Sequence, residues 1–304
     1  MISSPFNPAS PQIYATRGLF EFVLWLGAAV FVLVAGLVVV AAIRFRARPG
    51  APQAPQEEGR PAWEYVWTGA AALLLLVILV PTIRTMRFID PPAGSRRPDV
   101  VVIGHQWWWE IRYAASGVIA ANEVHIPTGR AQLVRVDSAD VIHSFWVPQL
   151  APKIQSIPGH PNEIWLQADA PGSYLGSCAQ FCGLEHAWMR ILVVAESPDA
   201  FAAWTAAQRQ PAPAPQAADA VAGMRLYQSM TCDSCHAAGV AVAPDLAHFA
   251  TRETLGAGRT ANTPQTLARW LEDPDALKPG VLMPNFHLTP DQVRALVAYL
   301  ETRR

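Results

Sequence analysis

Cys178-Ala-Gln180-Phe-Cys182-Gly-Leu-Glu-His186-Ala-Trp-Met189 places two thiols, an imidazole and a thioether within twelve residues. A further imidazole stands upstream in Val141-Ile-His143-Ser-Phe-Trp-Val-Pro148. Sulfur ligands combined with imidazole select copper, zinc or iron–sulfur. The closing Met favours electron-transfer copper, because a thioether is a weak axial ligand that tunes potential, and zinc has no use for one. Two cysteines in place of one allow both sulfurs to bridge a copper pair. A disulfide or a zinc pair is the plainer reading of Cys178 and Cys182, and it leaves Met189 without a role.

A second motif lies further on. Cys232-Asp-Ser-Cys235-His236 is C-x-x-C-H, the attachment signature of a c-type haem with the histidine as iron ligand, favoured over a zinc or redox C-x-x-C because it lies in a segment built like a small cytochrome. The chain has four cysteines and these two motifs use all of them, so none is left for a structural disulfide.

Net charge is −1, which gives no case for nucleic-acid binding. Hydrophobic residues make up 51% and charged residues 15%, the balance of a membrane protein with water-soluble parts. Two uncharged apolar runs account for it. Residues 22–43 lie between Glu21 and Arg44, and residues 65–83 between Glu64 and Arg84. At helical rise they span roughly 28–33 Å, enough for a hydrocarbon core. Trp25, Trp63, Tyr65 and Trp67 sit near the ends as interfacial aromatics do. Residues 1–18 lack the basic start and short apolar core of a cleaved leader, so an uncleaved hairpin with helices at about 19–43 and 63–88 is expected.

Arginine counts do not decide orientation. Arg44, Arg46, Arg48 and Arg60 lie between the helices, and Arg17, Arg84, Arg87, Arg96 and Arg97 lie outside them. The haem motif decides it instead. Such haem is attached outside the bacterial cytoplasmic membrane, which puts both termini outside and residues 44–62 inside. The loop of 49–62 is rich in Pro, Gln and Gly.

Beyond residue 98 the pattern shifts to short β-type runs, Asp99-Val-Val-Val-Ile103, Gln132-Leu-Val-Arg-Val136, Glu163-Ile-Trp-Leu-Gln167 and Arg190-Ile-Leu-Val-Val194, with Pro and Gly between them. A small β-sandwich or barrel is expected over 98–204. Residues 205–218 read as a Pro/Ala/Gln linker. Residues 219–304 are helical in pattern. Thr263-Pro264 opens one helix. Thr289-Pro-Asp-Gln292 opens the last, whose Val293, Leu296, Val297 and Leu300 share a face.

Residues 19–197 resemble subunit II of haem-copper cytochrome c oxidases with a binuclear copper A centre. The resemblance rests on Glu64-Tyr-Val-Trp-Thr, Gly104-His-Gln-Trp107-Trp-Trp109, residues 141–148, Ile157-Pro-Gly159 and the 178–189 block. Residues 219–304 resemble a single-haem class I cytochrome c. The resemblance implies a multidomain membrane protein. It would have a two-helix transmembrane hairpin (1–97), an all-β cupredoxin domain (98–204), a linker (205–218) and an all-α cytochrome c domain (219–304).

For the site, the resemblance implies that Cys178 and Cys182 bridge two coppers, with one copper each on His143 and His186. Met189 and the Gln180 carbonyl would be weak ligands. The family often has Glu at the Gln180 position, where the side chain also helps hold magnesium against subunit I; here a neutral oxygen donor stands in its place. Cys232 and Cys235 would carry the haem. His236 and Met283 would bind its iron, Met283 being chosen over Met224, Met230, His248 and His287 for its Leu-Met-Pro loop. Trp107 would lie at the surface above the copper pair as the electron entry point. Glu64 would feed protons toward subunit I from the cytoplasmic side. His105, His125, His160, His248 and His287 carry no ligand motif and are expected at the surface or hydrogen-bonded.

The function implied is electron delivery from reduced cytochrome c, or an upstream respiratory complex, through the chain's own haem c and copper pair. The electrons would go to subunit I, where oxygen is reduced to water with proton translocation. The partners would be subunit I, subunit III and the lipid of a bacterial inner membrane. Two alternatives share the motifs: the electron-entry subunit of a copper-containing nitric oxide reductase, and a membrane-anchored electron-transfer protein with no oxidase partner.

Overall fold

A computed structural model of the chain describes residues 3–50, 58–91, 97–237, 239–240 and 242–304. Residues 51–57 of the expected inner loop lie outside the described residues, as does Arg96. Residues 14–89 form one compact unit; residues 3–13 and 90–304 form the other.

The first unit is built on two apolar helices, α1 (Pro11–Arg44) and α2 (Pro61–Ile89). Their most apolar windows have mean hydropathy 2.9 and 2.3, and nothing in those windows is buried against protein. Leu24, Trp25, Phe31, Leu33, Leu73 and Leu75 all face outward. At about 1.5 Å per residue both helices exceed the roughly 30 Å of a bilayer core, and lipid is the solvent such surfaces require. Both are longer than the apolar runs alone suggested, because each starts at a proline suited to the first helical position. Glu64 sits in the first turn of α2, exposed.

The expected 1–97 membrane domain loses its first residues to the second unit. Ser10 is fully buried there, donating its hydroxyl to Leu150 O at 2.7 Å and accepting from Ile13 N–H. Ser3 Oγ donates to Leu175 O at 2.6 Å. Composition hid this, because the anchoring atoms are short polar side chains meeting backbone far away in sequence.

The β-domain contains β1 (Val100–His105), β2 (Trp108–Tyr113), β3 (Ile119–Ala121), β4 (Glu123–Pro127) and β5 (Gln132–Ser138), then β6 (His143–Trp146), β7 (Ile154–Ser156), β8 (Asn162–Leu166), β9 (Gly172–Cys178) and β10 (Arg190–Glu196). One sheet runs β3-β2-β1-β5-β8 and the other β4-β10-β9-β6-β7. The β1/β5 and β10/β4 pairs are parallel and the others antiparallel. Val102, Trp109, Val134, Phe145, Leu166, Ile191 and Val193 fill the space between the sheets. The expected β-sandwich is therefore present.

The expected linker begins later than residue 205. Helix α3 (Pro198–Gln208) follows β10, with Ser197 Oγ accepting from Ala200 N–H and Pro198 opening the helix. Ala and Gln favour helix, and the chain leaves the helix only at Arg209, a turn residue just before the Pro-rich run. The C-terminal part contains α4 (Ala218–Ser229), α5 (Asp233–His236), a two-stranded hairpin of β11 (Thr254–Leu255) and β12 (Thr260–Ala261), α6 (Pro264–Glu272), α7 (Pro274–Leu277) and α8 (Pro290–Leu300). Both expected helix starts carry capping boxes, at Thr263 and Thr289. Val293, Leu296 and Leu300 face the core with Phe249, Leu267 and Leu271.

The β11–β12 hairpin adds strand to a helical domain and meets the sandwich. Buried Glu123 accepts from Glu253 N–H (3.0 Å), Thr254 N–H (2.7 Å) and Thr254 Oγ1 (2.6 Å). Arg190 N–H donates to Ala257 O at 3.0 Å, and the Arg259 guanidinium lies 4.0 Å from the Trp188 ring centroid.

Helices α4 and α8 cross at Gly223. A Cβ there would stand 1.9 Å from Ala295 O and 2.5 Å from Ala295 C, both backbone atoms that cannot swing aside. Gly223→Ala is expected to destabilise the C-terminal domain by about 1–3 kcal/mol or more, as overpacking does. Urea titration of the haem-containing domain should show its transition at lower denaturant. An unmoved transition would mean that the helices separate freely.

Candidate metal centre

The last residue of β9 is Cys178, paired across the sheet with Phe145 of β6, which itself begins at His143. Residues 179–185 loop outward, a short 3-10 turn carries His186–Trp188, and Met189 leads into β10. This folding gathers the sulfur and nitrogen atoms. Cys178 and Cys182 Sγ are 3.8 Å apart. His143 Nδ1 is 3.9 Å from Cys178 Sγ, and His186 Nδ1 is 3.6 Å from Cys182 Sγ. Met189 Sδ is 3.9 Å from Cys182 Sγ, and the Gln180 carbonyl 3.2 Å from Cys178 Sγ. The six expected ligand groups thus lie along the pair of sulfurs, with one imidazole beside each; the ligand atoms of His143, Cys178 and Cys182 fall within 4.8 Å of one another. Both thiols are free of disulfides. The set suits soft cations held by thiolate and imidazole, as those of the expected copper A site would be.

The electrostatics agree. The hydrogen bond between the two thiols draws Cys178 well down against the effect of burial. The same bond, together with burial, pushes Cys182 up. For His143, burial lowers the pKa, but the Cys178 contact and Asp140 outweigh it and raise it overall. Asp140 Oδ1 lies 2.8 Å from His143 Nε2, leaving Nδ1 for a metal. Asp140 Oδ2 also accepts from Gln106 N–H. Asp140 was not anticipated, although its place three residues before His143 was readable.

Gly104 is the other unanticipated member. A Cβ on it would meet His143 Cδ2 at 2.7 Å and Cγ at 3.0 Å, so only hydrogen leaves room for the imidazole.

Trp107 departs from expectation. It is 9% exposed rather than at the surface. Its Nε1 donates to Cys182 O at 3.0 Å, and Gln106 Nε2 donates to the same oxygen at 2.7 Å. Its outer side is covered because it also lines the haem cavity described next. His105 and His125 are buried and bonded, to Glu110 (3.1 Å) and Glu196 (3.4 Å), and they stack on Trp108 and Trp204. His160 and His287 are exposed. Burial raises the Glu110 pKa, but hydrogen bonds from His105 and Arg112 outweigh it and hold the carboxyl below its usual range.

A cavity of about 430 Å³ is lined by Cys232, Cys235, His236, Leu267, Trp270 and Met283 from the helical domain, and by Trp107 and Trp108 from the sandwich. His236 Nδ1 lies 2.7 Å from Pro244 O, which leaves Nε2 for iron. Burial lowers the His236 pKa, holding the ring neutral as a ligand must be. Trp270 Nε1 donates to Met283 Sδ at 3.2 Å, fixing the thioether. Two free thiols, a neutral imidazole and a held thioether around an apolar cavity fit a covalent haem with His/Met ligation. Met230 also lines the cavity, two residues from Cys232.

A membrane-anchored copper sandwich joined to a c-type cytochrome is the class that this fold and these ligands define. Comparison with known proteins narrows it. The family model for the transmembrane domain of cytochrome c oxidase subunit II matches residues 6–85, that for its periplasmic domain matches 116–196, and that for cytochrome c matches 220–304. "Cytochrome c oxidase subunit 2" of Alkalihalophilus pseudofirmus is 34% identical over 98% of this chain and 89% of that protein. Its namesake in Bacillus sp. strain PS3 is 35% identical over 81% and 75%, and that of Bacillus subtilis 30% over 85% and 80%. The chain belongs to the cytochrome c oxidase subunit II family, in the form that carries a cytochrome c domain. It is a subunit of an oxidoreductase complex and serves oxidase electron transfer.

Met283→Ala should remove the distal iron bond and lower the haem potential, because a thioether stabilises ferrous iron. The optical spectrum and a redox titration check this. An unchanged spectrum and potential would show that Met283 is not the iron ligand.

Proposed function

We propose that the chain takes electrons at its C-terminal domain, passes them to the copper site of the sandwich, and hands them to subunit I. Both redox domains would lie on the outer side of a bacterial inner membrane. The observation that carries this reading is Trp107, which lines the haem cavity on one side and donates its ring N–H to the Cys182 carbonyl on the other. When bound, the haem and the copper pair supply one-electron redox chemistry. The chain's residues hold ligands in fixed geometry, exclude water and tune potential. Cys178, Cys182, His143 and His186 bind, with Met189 and Gln180 O as weaker donors. Asp140 orients His143. Met189, Phe145 and Trp109 keep the site dry. Trp107 serves as the relay between the two domains, fed from the chain's own haem, because its face is covered.

In the assembled oxidase, haem-to-copper electron transfer followed after rapid reduction should be first-order and independent of enzyme concentration. Trp107→Phe keeps the apolar ring and removes the N–H, and should slow that transfer while both cofactor spectra persist. A rate that scales with enzyme concentration would show transfer between molecules and overturn the reading.

Glu64 supplies protons toward subunit I in this proposal. It opens a membrane helix at the boundary, where a carboxylate reaches water and favours the positive helix end. Glu64→Gln should slow turnover with both cofactor spectra intact. Wild-type turnover and pH profile in that variant would reduce Glu64 to a boundary carboxylate.

A further inference from the structure

Lys278 is 4% exposed and Glu185 1%, and they come from different domains. Lys278 follows α7 in the helical domain; Glu185 stands one residue before His186 in the copper loop. Lys278 Nζ is 2.8 Å from Glu185 Oε2 and donates to Trp107 O at 2.9 Å. Gly280, two residues on, lies against Leu184 and Glu185. Met283 is three residues further. The segment that brings the haem thioether is thus laid directly over the loop that brings the copper ligands. No motif assigned either charged residue a role.

We propose that Lys278 is a positioning residue: by holding Glu185 and the Trp107 carbonyl together, it locks the haem domain onto the copper site in one register. The inference rests on the electron-transfer reading above and goes beyond it. Two buried charges leave water only if they meet, and separating them strands each without a partner. An interface with such a pair at its centre has one closed state and no partly slid ones. The lock is also connected to the copper site, since Trp107 passes the contact from its carbonyl to Cys182 O through its ring N–H. Glu123 and the β11–β12 hairpin hold the far edge of the interface.

The consequence concerns the chain between the domains. Residues 209–217 could reach roughly 28 Å at about 3.1 Å per residue, enough for many relative orientations. If the tether set the encounter, transfer would follow the effective concentration that its length imposes. If Lys278 sets it, linker length drops out.

The test uses the full chain in the assembled oxidase, with a protease site placed within 209–217. Before cleavage, one electron leaving the haem and one entering the copper pair are followed optically. After cleavage, size exclusion in detergent reports whether the cytochrome fragment stays with the rest, a readout that needs no turnover. Lys278→Met keeps the apolar stem and removes the charge. It is expected to leave both cofactor spectra in place, release the fragment after cleavage, and slow transfer at least tenfold. Lys278→Arg is expected to restore retention and most of the rate.

A cleaved Lys278→Met chain that stays together and transfers at the wild-type rate would overturn the proposal. Should Lys278→Met fail to fold, the wild-type sequence still decides. Inserting about twenty Gly/Ser residues into 209–217 should leave the rate unchanged, and a several-fold drop would give the role back to the tether. Absence of the copper or haem spectrum from the wild-type complex would instead sink the electron-transfer reading itself.

Discussion

The Cys182 carbonyl accepts two hydrogen bonds, from Trp107 Nε1 and Gln106 Nε2, and the copper loop depends on them. Residues 179–185 contain no helix or strand that would hold their shape. Cys178 is fixed by β9 and Met189 by the start of β10, but Cys182 and His186 lie between. Tying the Cys182 backbone to the turn after β1 fixes the second sulfur relative to the first. The same turn is steadied by Asp140, which bonds both Gln106 N–H and His143 Nε2. One small network therefore sets the distance between two thiols and the direction of an imidazole. Because the indole is used up in this network, its other face is free to wall a second cofactor's cavity.

The candidate ligand groups were legible because their chemistry is rare. Two thiols, two imidazoles and a thioether at that spacing leave few alternatives, and C-x-x-C-H leaves fewer. The β-sandwich was legible from alternating runs such as 132–136, and the last helix from its cap and apolar face. What escaped was almost all long-range. Glu123 and Thr254, Glu185 and Lys278, and Ser10 and Leu150 are each separated by more than ninety residues, and no local period connects them. Trp107 was expected at a surface because the sequence does not say that a second domain will cover it. The late start of the linker had a readable signal in Ser197-Pro198, but proline composition further on drew the boundary too early.

Burial of a lysine and a glutamate is a poor source of net stability. Their attraction is largely spent on leaving water, although losing one partner costs about 3–5 kcal/mol. What the pair gives is selectivity among docked arrangements. The three bonds to Glu123 serve differently. They satisfy the backbone N–H groups of Glu253 and Thr254 at the β11–β12 hairpin, groups that would otherwise be stranded at the interface.

The buried pair also has an evolutionary consequence. Positions 185 and 278 fall in two different modules, the copper domain and the cytochrome domain. Once the two are locked face to face, neither position drifts by itself. An acid lost from the copper loop strands an ammonium, and a base lost from the cytochrome strands a carboxylate. A cytochrome domain with no base at position 278 would leave Glu185 of this copper loop buried without its cation.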